Sequence, residues 1–271
     1  MFEWFSELSH VYQALIAGLF TWSMTALGAA VVFLVRTVNN KLLNTMQGFA
    51  AGVMIAASFW SLLAPALEFS EKAGQIAWMP AATGFLLGGF FIRGLDVVIP
   101  HMHAHASPGH QTEGRKSNLK KSTLLLLAIT LHNIPEGLAL GVAFGAIGHA
   151  TGEGALMAAV GLAIGIGIQN IPEGTALSLP IHGDGKSKWQ AFNFGQASAL
   201  VEPIFAVIGA AAILLVTPLL PYALAFAAGA MIFVVVEELI PESQSGENTD
   251  LATLGLMVGF TIMMILDVSL G

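Results

Sequence analysis

Two hexapeptides hold the residues best able to do chemistry: His132-Asn133-Ile134-Pro135-Glu136-Gly137 and Gln169-Asn170-Ile171-Pro172-Glu173-Gly174. Both lie inside strongly apolar stretches. His132 and Glu136 are four residues apart, as are Gln169 and Glu173, so on a helix each pair shares one face. Asn133 and Asn170 follow about a quarter-turn round. Pro135 and Pro172 each remove a backbone donor and are expected to kink their helices. In lipid, the carbonyl oxygens so freed need a cavity or a cation. Gly137 and Gly174 allow close backbone approach. Glu202, in Val201-Glu202-Pro203, adds a third carboxylate followed by a further expected kink. An imidazole, carboxylates and amides together suit a divalent cation.

A charge at the centre of a bilayer costs roughly 2.5–3.5 kcal/mol on insertion scales. Glu136, Glu173 and Glu202 together therefore cost on the order of 7–10 kcal/mol unless something compensates. Arg93 is the only basic residue inside an apolar stretch, and it lies near one end. Carboxylates without cationic side chains imply an exogenous cation or protons. Flanking candidates are the thioether of Met54, the outer carboxylate Glu68, and Asp96, Glu237, Glu238 and Asp267 near the ends of their spans. Each has a plainer reading. Met54 alone would be core, helix-end acids commonly sit at the interface, and an isolated Asn or Gln is packing glue. The same Asn-Ile-Pro-Glu-Gly frame occurring twice on adjacent spans outweighs those readings.

The elements that must position these residues are membrane helices. Of 271 residues 55% are hydrophobic and 10% charged, against about 25% charged in soluble domains, and the mean hydropathy is +0.76. Runs long enough to span a bilayer (about 20 residues) fall at roughly 11–35, 46–67, 76–100, 122–147, 154–181, 190–216, 218–242 and 250–270. The fold expected is an all-α membrane protein of eight spans, forming a single polytopic domain over residues 1–271. A loop at about 101–121 carries His101, His103, His105 and His110. There is no cysteine, which excludes disulfides and thiolate metal sites. The start Met1-Phe2-Glu3-Trp4 has no basic leader, so no cleaved signal peptide is expected. The net charge of -7 marks no acidic-partner surface and no nucleic-acid partner, because many acids lie within spans.

Arg36, Lys41, Arg115, Lys116, Lys120, Lys121, Lys186 and Lys188 follow spans one, three and five, whereas the opposite side carries only Lys72. The positive-inside rule makes the basic side cytoplasmic and leaves both termini outside. Phe49-Ala50-Ala51-Gly52-Val53-Met54-Ile55 in span two matches Phe226-Ala227-Ala228-Gly229-Ala230-Met231-Ile232 in span seven. Leu27-Gly28-Ala29-Ala30 matches Ile208-Gly209-Ala210-Ala211, and Leu95-Asp96-Val97-Val98 matches Leu266-Asp267-Val268-Ser269. The order is the same and the direction opposite. Spans 1–3 and 6–8 thus read as inverted repeats around spans 4–5, where a transporter places its midplane site.

These residues resemble the ZIP (Zrt-, Irt-like) family of divalent metal transporters, within it the GufA-like branch. The resemblance covers essentially the whole chain and rests on both hexapeptides, Val201-Glu202-Pro203 and Glu238-Leu239-Ile240-Pro241-Glu242. It implies one ion among Met54, His132, Glu136, Gln169 and Glu173. A second ion is implied among Asn133, Glu136, Asn170, Glu173 and Glu202, with Glu136 and Glu173 bridging. Some relatives have aspartate at the position of Asn170 and histidine at that of Glu237. The implied activity is zinc uptake toward the cytoplasm without ATP, by relative motion of two helix groups, tolerating Cd2+, Fe2+, Mn2+ or Ni2+. Glu68 is the implied inlet. Asp96, Glu237 and Glu238, with His101 and His103 on the loop, stand towards the outlet. The implied location is the plasma membrane, for a bacterium the inner membrane, with a homodimer as one use of the Gly-rich faces. Two rival classes stay open on the residues alone. One is an intramembrane zinc hydrolase with Glu136 as base, and the other is a proton-coupled solute carrier.

Overall fold

The computed structural model describes residues 3–35, 39–102, 112–115, 119–149, 154–245 and 249–270. Among these, eight helices are long and apolar enough to cross a membrane, as expected. They are α1 (His10–Leu34), α2 (Asn40–Lys72), α3 (Trp78–Val98), α4 (Lys121–His149), α5 (Ala155–Gly183), α6 (Lys188–Leu215), α7 (Leu220–Ser243) and α8 (Thr249–Leu270). After α3 the chain makes a small antiparallel hairpin, β1 (His101–Met102) with β2 (Thr112–Glu113). His103, His105 and His110 lie outside the described residues.

The helices pack as two groups. α1, α4, α5 and α6 form one, with α1 against α5 and α4 against α6. The other pairs α2 with α8 and α3 with α7. Between the groups, α2 meets α5 and α7 meets α4. Lipid supplies no hydrophobic drive between helices, so small residues and close contact must hold them. The repeated Phe-Ala-Ala-Gly segment does this twice over. The Phe49 carbonyl fills the face of Gly259 on α8, and the Phe226 carbonyl fills that of Gly88 on α3. Gly52 faces the Leu256 carbonyl as Gly229 faces that of Phe85. A Cβ at any of these glycines would collide with backbone. The short match between α1 and α6 is out of step. On α1 and α6 the equivalent contacts are Gly174 with the Thr25 backbone and Gly137 with that of Glu202. These set Thr25 opposite Glu202, one turn away from the pairing of Gly28 with Gly209.

The two long repeats share a feature that hydropathy does not show. α2 passes through a π-helical turn at Ser58–Leu63 and α7 through one at Val235–Leu239. Each begins nine residues after its repeat's phenylalanine. Pro65 and Pro241 cannot donate to the carbonyls of Ser61 and Glu237 four residues back, so the ladder slips to i→i+5 bonding. Ala64 N–H bonds Phe59 O and Ile240 N–H bonds Val235 O accordingly.

Pro135 and Pro172, in contrast, sit inside continuous helical stretches, Lys121–Ala146 and Ala155–Gly183. Neither proline ends its helix. α6 is interrupted, but ahead of Glu202 instead of after it: one piece ends at Ser198 and the next begins at Val201. Pro203 then falls in a first turn, where a missing N–H costs nothing.

Packing of this kind makes a direct prediction. Gly88→Leu should lower the thermal unfolding midpoint in detergent, reflecting a loss of about 1–3 kcal/mol or more from overpacking. Gly94→Ala on the same helix, with nothing within 4 Å of its added carbon, should leave the midpoint unchanged. Tryptophan fluorescence melts of the two variants check this.

Candidate metal site

The hexapeptides meet on α4 and α5 in the middle of the first helix group. Gly137 and Gly174, expected to bring α4 and α5 together, instead seat α6 and α1 on them. That placement carries Glu202 to the hexapeptides from α6. Helix geometry does the rest, presenting His132 with Glu136 and Gln169 with Glu173 at i,i+4 spacing. Met54, Asn133, Glu136, Gln169, Asn170 and Glu202 are wholly buried, and His132 and Glu173 nearly so. Glu136, Glu173 and Glu202 lie within electrostatic reach of one another.

The side chains are partly paired among themselves. Gln169 Nε2 donates to Glu136 Oε1. Asn170 Nδ2 lies 2.9 and 3.0 Å from the two carboxylate oxygens of Glu202 and 3.1 Å from the Thr21 carbonyl. His132 Nε2 lies 2.5 Å from Glu238 Oε1 on α7. In this arrangement no three His, Asp or Glu side chains among the described residues stand at spacing suited to one metal ion. The remaining atoms are the informative ones. Both oxygens of Glu173, Glu136 Oε2, Gln169 Oε1, Asn170 Oδ1 and both amide atoms of Asn133 are buried with no hydrogen-bond partner. Buried polar atoms are rarely left so, because each costs about 1–3 kcal/mol. All but one are oxygens, and the Glu136 and Glu173 carboxyl groups stand within hydrogen-bonding reach of each other, so what the set lacks is a positive partner, which a proton shared by the two acids meets only in part. A dehydrated divalent cation supplies one.

Glu68 and Asp267 belong elsewhere, to a cavity of about 480 Å³. It opens where α2 ends and is lined by Trp60, Ser61, Glu68, Leu162 and Asp267 among others. Glu68 is exposed and lies 3.7 Å from Lys72. Asp267, half-buried, accepts from Ser61 Oγ at 2.5 Å. At the other end of the helices the space beside Glu238 and Glu242 holds only about 20 Å³. There Asp96 is buried between Arg93 (2.5 Å) and His101 (2.8 Å), and Arg93 stands 3.9 Å from Glu237. Arg93 thus neutralises an acidic group that the sequence left uncompensated.

Residue types alone did not single out Thr21, Glu242 or Gln47. Thr21 offers Asn170 its carbonyl, which no side-chain motif encodes. Glu242 accepts from Gln47 Nε2 at 2.5 Å, and its i,i+4 spacing from Glu238 was the available signal.

Eight apolar helices around a buried set of acid and amide oxygens define an integral membrane protein with a polar centre. Comparison with known proteins narrows this. The family model described as ZIP Zinc transporter matches residues 11–124 and 116–267. The chain is 40% identical to human "Zinc transporter ZIP11" over 97% of its length and 98% of the relative's. It is 38% identical to "Zinc transporter GufA" of Myxococcus xanthus over 95% and 98% of the two chains. It is also 38% identical to "Zinc transporter ZIPB" of Bordetella bronchiseptica, over 97% and 82%. The chain belongs to the ZIP zinc transporter family.

Asn170 gives the site a testable signature. As an amide it donates to Glu202; aspartate there would place two carboxylates face to face. Asn170→Asp should melt at lower temperature than the parent in chelator and show a larger upward shift on adding zinc, since ligand stabilisation grows with affinity. A smaller zinc-induced shift than the parent's would contradict this account of the pair.

Proposed function

We propose that this chain carries divalent metal cations, zinc first among them, across a membrane toward the cytoplasm, as a single polytopic domain. The observation that carries the reading is the set of buried, unpartnered oxygens on Asn133, Glu136, Gln169, Asn170 and Glu173. Membership of a zinc transporter family supports it. The ligands proposed are Met54, His132, Glu136, Gln169 and Glu173 for one ion. Asn133, Asn170 and Glu202, with the two bridging glutamates, are those for a second.

Neutral imidazole with carboxylate and amide oxygens suits zinc and accommodates Cd2+, Fe2+, Mn2+ and Ni2+. The positive-inside rule puts the Lys72 end outside, both termini with it, and the 480 Å³ cavity toward the exterior. The ion then comes in past Glu68 and Asp267, sheds water at the glutamates, and leaves past Glu238 and the Asp96–His101 pair. We infer that the repeated packing of α2 on α8 and α7 on α3 reflects inverted repeats. The two helix groups are the units that move against each other. Plasma-membrane residence, the inner membrane in a bacterium, and a homodimer through the Gly-rich faces complete the reading. A hydrolase is disfavoured by the single histidine at the centre and by the family. A proton-coupled carrier would use the same acids as relays.

Zinc uptake into proteoliposomes separates these readings. The parent should accumulate zinc down its gradient without nucleotide, and Glu136→Ala with Glu173→Ala should reduce uptake to that of empty vesicles. Uptake surviving the double substitution would refute the site. Protons compete with metal for imidazole and carboxylate, so under an equal zinc gradient uptake should be slower at mildly acidic than at neutral pH. Faster uptake in acid would favour proton coupling.

A further inference from the structure

The contact between His132 and Glu238 joins the two helix groups, because His132 is on α4 and Glu238 on α7. It is nearly dry: the two side chains are 4% and 8% exposed. Its length is informative. Two ligands about 2.0–2.1 Å from one zinc ion at a tetrahedral angle stand roughly 3.3 Å apart. At 2.5 Å, Nε2 and Oε1 leave no room for an ion between them. An ion that takes Nε2 requires Glu238 Oε1 to move back, by about 0.8 Å even if it stayed as a co-ligand.

Glu238 is built to withdraw. It rides on the π-helical turn Val235–Leu239, where the ladder has slipped ahead of Pro241. Such turns are local irregularities, frequent at functional positions. With Glu238 against His132, the space it lines with Glu242, Gln47 and Leu125 is only about 20 Å³. Among the described residues that space is too small for a hydrated ion.

We propose that Glu238 acts as a displacing latch: it holds His132 when no ion is bound, withdraws when an ion takes the imidazole, and on returning evicts the ion. The latch ties the position of α7 against α4 to the loading of the central site. It rests on the transport reading above and adds a sign to it. A latch competes with the ion, so removing it strengthens binding, whereas removing a co-ligand weakens it. The cost of keeping the binding-competent form scarce appears as a reduced apparent affinity.

The test is calorimetric zinc titration of the purified, chelator-stripped full-length protein and of Glu238→Ala and Glu238→Gln. The latch predicts apparent affinity about tenfold tighter in Glu238→Ala. In proteoliposomes it predicts a lower half-saturating zinc concentration together with a lower maximal rate, because eviction is lost. Glu238→Gln keeps the volume if the alanine variant does not fold, and should shift both values in the same direction. The cysteine-free chain also permits Leu125→Cys as a reporter. Thiol labelling of that residue should be slow without metal, faster with zinc, and fast without metal when Glu238→Gln is added. Unchanged or weaker zinc affinity in the Glu238 variants would overturn the latch, as would labelling indifferent to both. A parent protein that neither binds nor carries zinc would instead overturn the transport reading.

Discussion

Carboxylate oxygens taken out of water must be met by positive charge, and this constraint organises the molecule. Glu136, Glu173 and Glu202 are buried at one level of a helix bundle whose surroundings offer no lysine or arginine. Hydrogen bonds from Gln169 and Asn170 satisfy part of the acid group. The rest, above all Glu173, meets no amide or hydroxyl donor, only the neighbouring carboxyl group of Glu136. Helix packing, the break in α6 and the choice of Asn over Asp at position 170 all bear on how that deficit is held until a cation meets it. The end of α3 near Arg93 handles its acids differently. Arg93 and His101 share Asp96 there, so that cluster is closed while the centre is not.

Packing sets the two helix groups against each other around this deficit. Backbone carbonyls set into glycine faces make α2–α8 and α3–α7 rigid pairs, and α1–α5 and α4–α6 are joined in the same way. Contact between the groups is confined chiefly to α2 with α5 and α7 with α4. Those two crossing helices are the ones carrying π-helical turns. One turn brings Ser61 to the outer cavity beside Asp267, and the other brings Glu238 to His132. Irregular backbone therefore lies in the two helices that join the groups.

Much of this was legible in the sequence, and the reasons differ by element. The eight spans follow from hydropathy because lipid imposes one length on every crossing. The hexapeptides stand out because polar residues in such spans are costly. The Phe-Ala-Ala-Gly repeat was visible because close packing demands the same small residues twice. The match on α1 and α6 fell one turn out of register, since four-residue strings of small apolar residues recur by chance at helical spacing. Pro135 and Pro172 lie inside helices that are not broken at them. Position within the turn decides what proline does, and Pro65, Pro203 and Pro241 show the other outcomes. Side-chain pairings such as His132 with Glu238 depend on which helices touch, and no local pattern encodes that.

The most direct test of the central claim is anomalous diffraction at the zinc edge from chelator-stripped protein reloaded with the metal. The account predicts anomalous density between α4 and α5, bounded by His132, Glu136, Gln169 and Glu173, that disappears in the Glu136→Ala, Glu173→Ala variant. Density confined to the loop histidines or to the outer cavity, with the centre empty at saturating zinc, would contradict it.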